Sequence, residues 1–155
     1  MRTIFLDVDG VLNTDIAVGG TALRRDLTTR FVEQVLALDA DVVVSSTWRL
    51  HPFLRNQLAT QLREYGLPSM RVTGQTKELT FDSSIDTTEQ RAIEILTYVC
   101  DHHLSTSEST WVAIDDLDLL QTTHGQNFAG HFVQTNPTEG FTLECAHLLS
   151  RLFQE

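Results

Sequence analysis

Short runs of β-branched and other apolar residues alternate along this chain with longer segments in which apolar residues recur at helical spacing. This alternation is typical of a parallel sheet whose strands are joined by crossover helices. We therefore predict an α/β fold with a mainly parallel, five-stranded sheet flanked by helices. The predicted strands are Thr3 to Leu6, Asp41 to Ser45, Met70 to Thr73, Trp111 to Ile114 and His131 to Val133.

Four helices are predicted to connect and follow these strands. The second is ended by Gly66 and Pro68, and the third begins with Asp86 and Glu89 at capping-box spacing. The helices cover an apolar stripe from Leu23 to Leu38, a segment from Pro52 to Tyr65, and the ranges Thr87 to Cys100 and Thr142 to Phe153. Because the chain has 155 residues and shows no repeat or linker, we expect one domain over residues 1–155.

The charge of the chain limits the partners it would bind. It carries 21 acidic and 11 basic residues, a net charge of −10. Binding along a nucleic-acid backbone requires clustered positive charge. A broad nucleic-acid-binding surface is therefore not expected, although one or two arginines would suffice to bind a single phosphate.

Two cysteines and the N-terminal segment bear on the expected location. Cys100 and Cys145 both fall in predicted helices and lack C-x-x-C spacing, so neither a disulfide framework nor a zinc site is expected. A reducing, cytoplasmic setting fits this composition. The first apolar run is interrupted by Asp7, which argues against a signal peptide or a membrane span there. We expect a soluble protein.

Two aspartates follow the first predicted strand. Asp7 and Asp9 are separated by one residue, and Gly10 comes directly after them. Ligands of open α/β sheets bind beyond the carboxyl ends of the strands, and a glycine there lets the chain turn away without a Cβ that would obstruct a ligand. An Asp-x-Asp pair alone is also typical of a solvated loop or a capping pair, so it indicates a metal site only with further support.

That support comes from a second acidic group after the fourth predicted strand. Asp115 and Asp116 directly follow the apolar run that ends at Ile114. Because parallel strands open on the same edge, these acids and the first pair would converge on one hard cation that prefers oxygen ligands, for which Mg²⁺ is expected. Alternatively the acids cap the following turns, which requires the two strands to lie far apart, since carboxylates without a cation repel one another.

Hydroxyl and basic groups are available to bind a phosphoryl group. Ser45 ends the second predicted strand and Ser46 and Thr47 follow it, where hydroxyls and exposed backbone N–H groups would suit phosphoryl oxygens. Serines are also typical of turns and helix caps, so that interpretation stays open. Arg91 near the start of the third helix and Lys77 in the loop before it are the candidates to neutralise a phosphate, and arginine would do so with a bidentate fork.

Taken in order, these four groups resemble the four motifs of the haloacid dehalogenase (HAD) superfamily of phosphatases and phosphotransferases, over nearly the whole chain. A closer resemblance, to the small HAD domains related to Swiss Army Knife RNA repair proteins, lies in the segments Phe5 to Asn13, Ser45 to Arg49, Arg91 to Ile95 and Ile114 to Asp116. The resemblance implies a Rossmann-like HAD fold. The intervals 14–38 and 50–86 leave no room for a substantial cap domain, so we expect a capless hydrolase domain.

The resemblance also implies a phosphomonoesterase that acts through an aspartyl-phosphate. Asp7 would be the nucleophile, and Asp9 would protonate the leaving oxygen and then activate water. Mg²⁺ would be held by the Asp7 side chain, the Asp9 main-chain carbonyl and an acid of the fourth motif, with Asp116 preferred and Asp115 second. Dehalogenases of the superfamily lack the second aspartate of the first motif, so Asp9 implies a phosphate-handling member.

The same resemblance suggests how the substrate would be held. Ser46 is expected to donate to the phosphoryl group while Ser45 faces the sheet, and Arg91 is preferred over Lys77 as the neutralising cation. Arg49 would either contact a substrate phosphate or pin its loop to an acid. The residues expected to contact the substrate are Gly10, Ser46, Thr47, Arg49 and Lys77.

Length and charge give conflicting indications about the substrate. Capless members often act on large substrates such as nucleic-acid ends or phosphoproteins, whereas the net charge of −10 argues against a nucleic acid. The substrate class therefore stays open, with a terminal phosphate on a nucleotide or oligonucleotide favoured. Two other functions are considered: a catalytically silent phosphate-binding or regulatory HAD domain, and a phosphotransferase to an acceptor other than water.

Overall fold

The computed structural model describes residues 1–14 and 20–154. The strands are β1 (Arg2–Leu6), β2 (Ala40–Val44), β3 (Val72–Gln75), β4 (Thr110–Asp115) and β5 (Phe132–Gln134). The helices are α1 (Arg25–Ala37), α2 (Pro52–Glu64), α3 (Thr87–Asp101) and α4 (Leu143–Leu152). The strands form one parallel sheet in the order β3-β2-β1-β4-β5. The predicted five-stranded, parallel α/β fold is confirmed.

The central strand β1 is buried on both faces. Ile4 and Leu6 belong to a core cluster built with residues of α1, α2 and α4, whereas Phe5 belongs to a second cluster built with residues of α3. This division follows from the strand itself, because successive side chains point to opposite faces of a sheet. The sheet is therefore covered by helices on both sides, and α3 packs on the face to which Phe5 points.

The register of the sheet aligns the ends of its three middle strands. Leu6 in β1 pairs with Val44 in β2 and with Ile114 in β4. The ladder continues one step further, since Asp7 N donates to the Ile114 carbonyl and Ser45 N donates to the Leu6 carbonyl, each at 3.0 Å. The chain after β1, β2 and β4 therefore emerges side by side at one edge of the sheet.

The predicted third strand is displaced along the chain. Four of the predicted strands agree with the observed ones to within one residue at either end, but Met70 to Thr73 was predicted where β3 covers Val72–Gln75. Met70 instead lies in a short 3₁₀ helix, Ser69–Arg71, and its side chain is 80% exposed. Its apolar character therefore does not reflect a place in the sheet.

Insertions are small in the part of the chain that the structure describes. Residues 7–14 and 20–86 hold α1, β2, α2 and β3 with their connecting loops and no substantial cap domain. Cys100 and Cys145 are both free thiols. Within the described ranges, every helix is too short or too polar to cross a membrane.

Candidate active site

Three carboxylates meet where β1 and β4 end. Asp7, Asp115 and Asp116 each offer an oxygen atom, and these atoms all lie within 4.8 Å of one another. Asp7 is 5% exposed and Asp115 is fully buried, whereas Asp116 is partly exposed. In residues 1–14 and 20–154 this is the one group of three or more acidic, histidine or cysteine side chains with such geometry. The expected convergence of the two acidic motifs is therefore present, apart from Asp9.

Arg91 on α3 is the positive charge of this cluster. Its Nη1 lies 2.5 Å from Asp115 Oδ2 and 3.2 Å from Asp7 Oδ1, and its side chain is almost fully buried. Burial alone would lower the pKa of Arg91, but the charges of Asp115 and Asp7 outweigh it and raise the pKa. The guanidinium therefore stays protonated beside the end of β1.

The two acids after β4 differ in how they are held. Both oxygens of Asp115 have partners, since Oδ2 pairs with Arg91 and Oδ1 accepts from Leu117 N at 3.0 Å. Burial, followed by the charge of Asp7, raises the pKa of Asp115 well above its ordinary value. The same two causes raise the pKa of Asp116 to about 6. Asp115 thus anchors Arg91, while Asp116 shares a crowded, negatively charged space with Asp7.

Asp9 lies beside the cluster and contacts the loop that follows β2. Its Oδ2 accepts from the Trp48 indole Nε1 at 3.0 Å, and its Oδ1 lies 3.5 Å from Asn13 Nδ2. Burial raises the pKa of Asp9 and the charge of Asp7 adds to this, whereas the hydrogen bond from Trp48 and the charge of Arg91 oppose it. A carboxyl with a raised pKa suits a group that must donate a proton.

Both the backbone conformation at position 10 and the nearby side chain of Asp116 require a glycine there. Its φ is +81°, a conformation that residues with a Cβ rarely adopt, and its carbonyl accepts from Thr135 Oγ1 at 2.8 Å. A Cβ placed on Gly10 would lie 2.6 Å from Asp116 Oδ2. The space that the sequence suggested would stay open for a ligand is therefore occupied by a carboxylate of the cluster.

The hydroxyl groups after β2 are arranged differently from one another. Ser46 Oγ accepts from Trp48 N at 3.2 Å and caps a short 3₁₀ helix, Thr47–Leu50, in which Thr47 is exposed. Because a hydroxyl that accepts still has its own hydrogen, Ser46 retains the ability to donate. The helix-cap interpretation and a donor role for Ser46 are therefore compatible.

Ser45, which was expected to face the sheet, carries a second hydroxyl directly after β2. It is fully buried, and its Oγ has no hydrogen-bond partner in the described residues. In the sheet register Ser45 lies beside Asp7, one step beyond the pair of Leu6 and Val44. Because successive side chains alternate and Val44 belongs to the other core cluster, the Ser45 side chain lies on the face covered by α3. A buried hydroxyl without a partner, one strand away from Asp7, is a second candidate donor to a ligand.

Arg49 has all five of its N–H groups directed at protein acceptors. One of these acceptors is Glu94, whose Oε2 lies 2.6 Å from Nη2, and the others are main-chain carbonyls. Arginine has no further donors. Of the two roles suggested by the sequence, the contacts favour pinning the loop to an acid over contact with a substrate phosphate.

Lys77 lies away from the carboxylates. Its Nζ pairs with Asp101 at the end of α3 at 2.8 Å, and its side chain is 68% exposed. The side-chain hydrogen bond with Asp101 raises the pKa of Lys77. Of the two cations that the sequence offered, only Arg91 is brought into contact with the cluster.

The contacts of Trp48 with Asp9 and of Arg49 with Glu94 are not readable from the sequence. Both join residues that are distant along the chain, and both depend on which strand lies beside β1 and which helix covers it. The local sequence signal is the pair Trp48 and Arg49, which shows that the loop after β2 contains an indole and a guanidinium as well as hydroxyl groups.

Comparison with known proteins agrees with this geometry. The family model described as "HAD domain in Swiss Army Knife RNA repair proteins" matches residues 3–146. No curated protein and no solved structure shows a significant match. The matched range includes all the candidate site residues, from Asp7 to Asp116. The chain therefore belongs to the family of HAD domains found in Swiss Army Knife RNA repair proteins.

Proposed function

We propose that this protein is a Mg²⁺-dependent phosphomonoester hydrolase that acts through an aspartyl-phosphate on Asp7. The observation that carries the proposal is the convergence of Asp7, Asp115, Asp116 and Arg91 at the carboxyl edge of the sheet. An anionic nucleophile approaches an anionic phosphate only where positive charge is supplied. This site combines a nucleophile, a fixed guanidinium and oxygen ligands for a cation.

The residues of the cluster fit a hard divalent cation. With all three carboxylates ionised, as a bound cation would favour, they and the guanidinium leave two negative charges, and all the donor atoms are oxygens, which Mg²⁺ prefers. The Asp7 and Asp116 side chains, with the Asp9 main-chain carbonyl, would hold it, because Asp115 already has partners at both oxygens. When bound, the cation supplies Lewis-acid polarisation of a phosphoryl oxygen.

The side chains divide the reaction between them. An Asp7 carboxylate oxygen would attack phosphorus in line, forming the O–P bond as the ester oxygen leaves. Asp9, whose pKa is raised mainly by burial, would give its proton to the departing oxygen. It would then take a proton from the water that hydrolyses the aspartyl-phosphate, which restores Asp7 and releases phosphate. Arg91 would stabilise the charge that develops on the phosphoryl oxygens.

The open site favours a phosphate at the end of a larger molecule. The described residues contain no substantial cap above the ends of β1, β2 and β4, so a terminal phosphate would reach Asp7 without a cavity that encloses the rest of the substrate. The net charge of −10 argues against extended contact with a nucleic-acid backbone. We therefore propose a nucleotide or a nucleic-acid terminal phosphate as the substrate.

The test is release of phosphate from p-nitrophenyl phosphate and from 5′- and 3′-phosphorylated oligonucleotides, with Mg²⁺ and with EDTA. Asp7→Asn is nearly isosteric and should fold, but it should retain less than about 1% of the rate because the nucleophile is lost. Asp118→Asn, in the loop after β4 and outside the cluster, is the matched control and should keep full activity.

Other outcomes would assign the site to another function. Folded wild-type protein that releases no phosphate from any of these substrates would contradict the hydrolase and favour a silent phosphate-binding domain. Transfer of the phosphoryl group to an added alcohol in preference to water would identify a phosphotransferase.

A further inference from the structure

A buried ion pair joins the loop after β2 to the middle of α3. Arg49 Nη2 lies 2.6 Å from Glu94 Oε2, and the two residues are 2% and 8% exposed. Glu94 Oε1 also accepts from Leu79 N at 3.2 Å. Removing two charges from water carries a large desolvation penalty, so such a pair is poor evidence of a contribution to stability. Its position beside the site suggests a different role.

The remaining donors of Arg49 hold the ends of two strands. Nε donates to the Thr76 carbonyl at 2.9 Å, and Nη1 donates to the carbonyls of Ser45 and Ser46 at 3.3 and 3.0 Å. Nη2 also lies 3.4 Å from the Lys77 carbonyl. One guanidinium therefore fixes the backbone that follows β2 and the backbone that follows β3.

Glu94 extends this attachment to the helix that carries Arg91. The two residues are three positions apart on α3, so their side chains share one face of the helix. Arg91 reaches Asp7 and Asp115 at the ends of β1 and β4, whereas Glu94 reaches Arg49. The face of α3 is thereby bonded to the ends of all four neighbouring strands.

We propose that Arg49 and Glu94 are positioning residues, which together fix the loop that carries Ser46 to the helix that carries Arg91. The hydroxyl and the guanidinium are then held in one geometry around the phosphoryl group of the substrate. The part of this inference that concerns the reaction rate rests on the proposed function. Misplacement of such groups by about 1 Å is sufficient to reduce a rate about 100-fold.

The double variant Arg49→Met/Glu94→Leu separates positioning from stability. Replacing both members of a buried ion pair with apolar residues of similar volume is often neutral for stability, whereas removing one member leaves an unpaired buried charge. We expect Arg49→Met alone to lower the unfolding temperature. The double variant should restore part of that loss, because the unpaired Glu94 charge is gone but the carbonyls that Arg49 held still lack donors. Because the carbonyls after β2 and β3 stay unheld, kcat on p-nitrophenyl phosphate should fall about 100-fold in both variants.

A second measurement does not depend on turnover. The indole N–H of Trp48 donates to Asp9 Oδ2, whereas the indole N–H of Trp111 donates to Ser105 Oγ at 3.3 Å. Hydrogen exchange of these two groups, followed by NMR, reports the loop after β2 with an internal control. In the double variant we expect exchange at Trp48 to be about 10-fold faster and exchange at Trp111 to be unchanged.

Arg71→Met is the matched control. It removes an arginine that pairs with Asp39 and Asp41 close to the opposite end of β2. It should change neither kcat nor the exchange of Trp48. Arg49→Lys serves as the second variant if the double variant does not fold. It keeps the buried positive charge but lacks the planar guanidinium that donates to several carbonyls at once, so we expect the same fall in kcat and the same faster exchange at Trp48.

Two results would overturn the inference: recovery of kcat together with stability in the double variant, or unchanged exchange at Trp48. An inactive wild-type protein would contradict the proposed function alone, since the exchange experiment still decides whether the ion pair holds the loop.

Discussion

Gly10 has a positive φ of +81° and lies against Asp116, so its substitution has two separable consequences. In Gly10→Ala, the left-handed backbone should lower the free energy of unfolding by about 1–2 kcal/mol. The new Cβ should also displace Asp116 and weaken Mg²⁺ binding about 10-fold. Gly66→Ala is the matched control, because Gly66 has φ +98° and no atom within 4 Å of a Cβ there. Urea unfolding and calorimetric Mg²⁺ titration check both effects, and equal Mg²⁺ affinity in the two variants would contradict the role assigned to Asp116.

Asp116 should make the stability of the metal-free protein depend on pH. Burial and the charge of Asp7 raise its pKa from 3.8 to about 6 on folding. The folded state therefore binds this proton more tightly than the unfolded chain, and stability falls as pH rises from about 4 to about 6. In EDTA at pH 7 we expect Asp116→Asn to be more stable than wild type, by on the order of 1 kcal/mol. This advantage should shrink as pH is lowered below 6.

The measurement is urea unfolding in EDTA at about pH 7 and about pH 5, which lie above and within the pH range of that change. Asp118→Asn, close by on the same loop, serves as the control and should not show the difference. A stability gap that is the same at both pH values would show that ionisation of Asp116 is not its cause.

Among the secondary-structure elements, four of the five strands could be predicted to within one residue at either end. Buried parallel strands read as short apolar runs, and the acidic residues that end two of them could be expected at one edge because parallel strands share their direction. The meeting of Asp7 with Asp115 follows from that argument once β1 and β4 are neighbours. The third strand was misplaced because exposed Met70 resembles a strand residue in composition.

The positions of the helices along the chain could be predicted, but the contacts that their side chains make with the sheet and its loops could not. Apolar periodicity locates α3 and shows which face is buried. It does not show that Arg91 reaches the ends of β1 and β4 whereas Glu94 reaches the loop after β2. The contact between Trp48 and Asp9 likewise depends on β2 lying beside β1, a neighbour relation that no local pattern encodes. Which side chains meet at this edge of the sheet could therefore be predicted better than the hydrogen-bond partners of each one.

At the scale of the whole molecule, the net charge of the protein has the same sign as the charge of a phosphorylated substrate. The chain carries a net charge of −10, and a bound Mg²⁺ would balance only the two excess negative charges of the cluster at the sheet edge. A polyanionic substrate therefore approaches against repulsion, whereas a small phosphate ester meets less of it. Repulsion between exposed charges is reduced by salt, because the screening length falls from about 30 Å at 0.01 M to about 10 Å at 0.1 M.

If the substrate is a terminal phosphate on an oligonucleotide, kcat/KM should therefore rise several-fold between about 0.01 and 0.1 M salt at constant Mg²⁺. For p-nitrophenyl phosphate the change should be less than about twofold, since that substrate carries little charge beyond the phosphate. Measuring both substrates in one salt series controls for any effect of salt on the chemical step, because that effect would appear with p-nitrophenyl phosphate as well. A fall in kcat/KM for the oligonucleotide would instead indicate a local path of positive charge that binds its backbone, which would contradict recognition of the terminal phosphate alone.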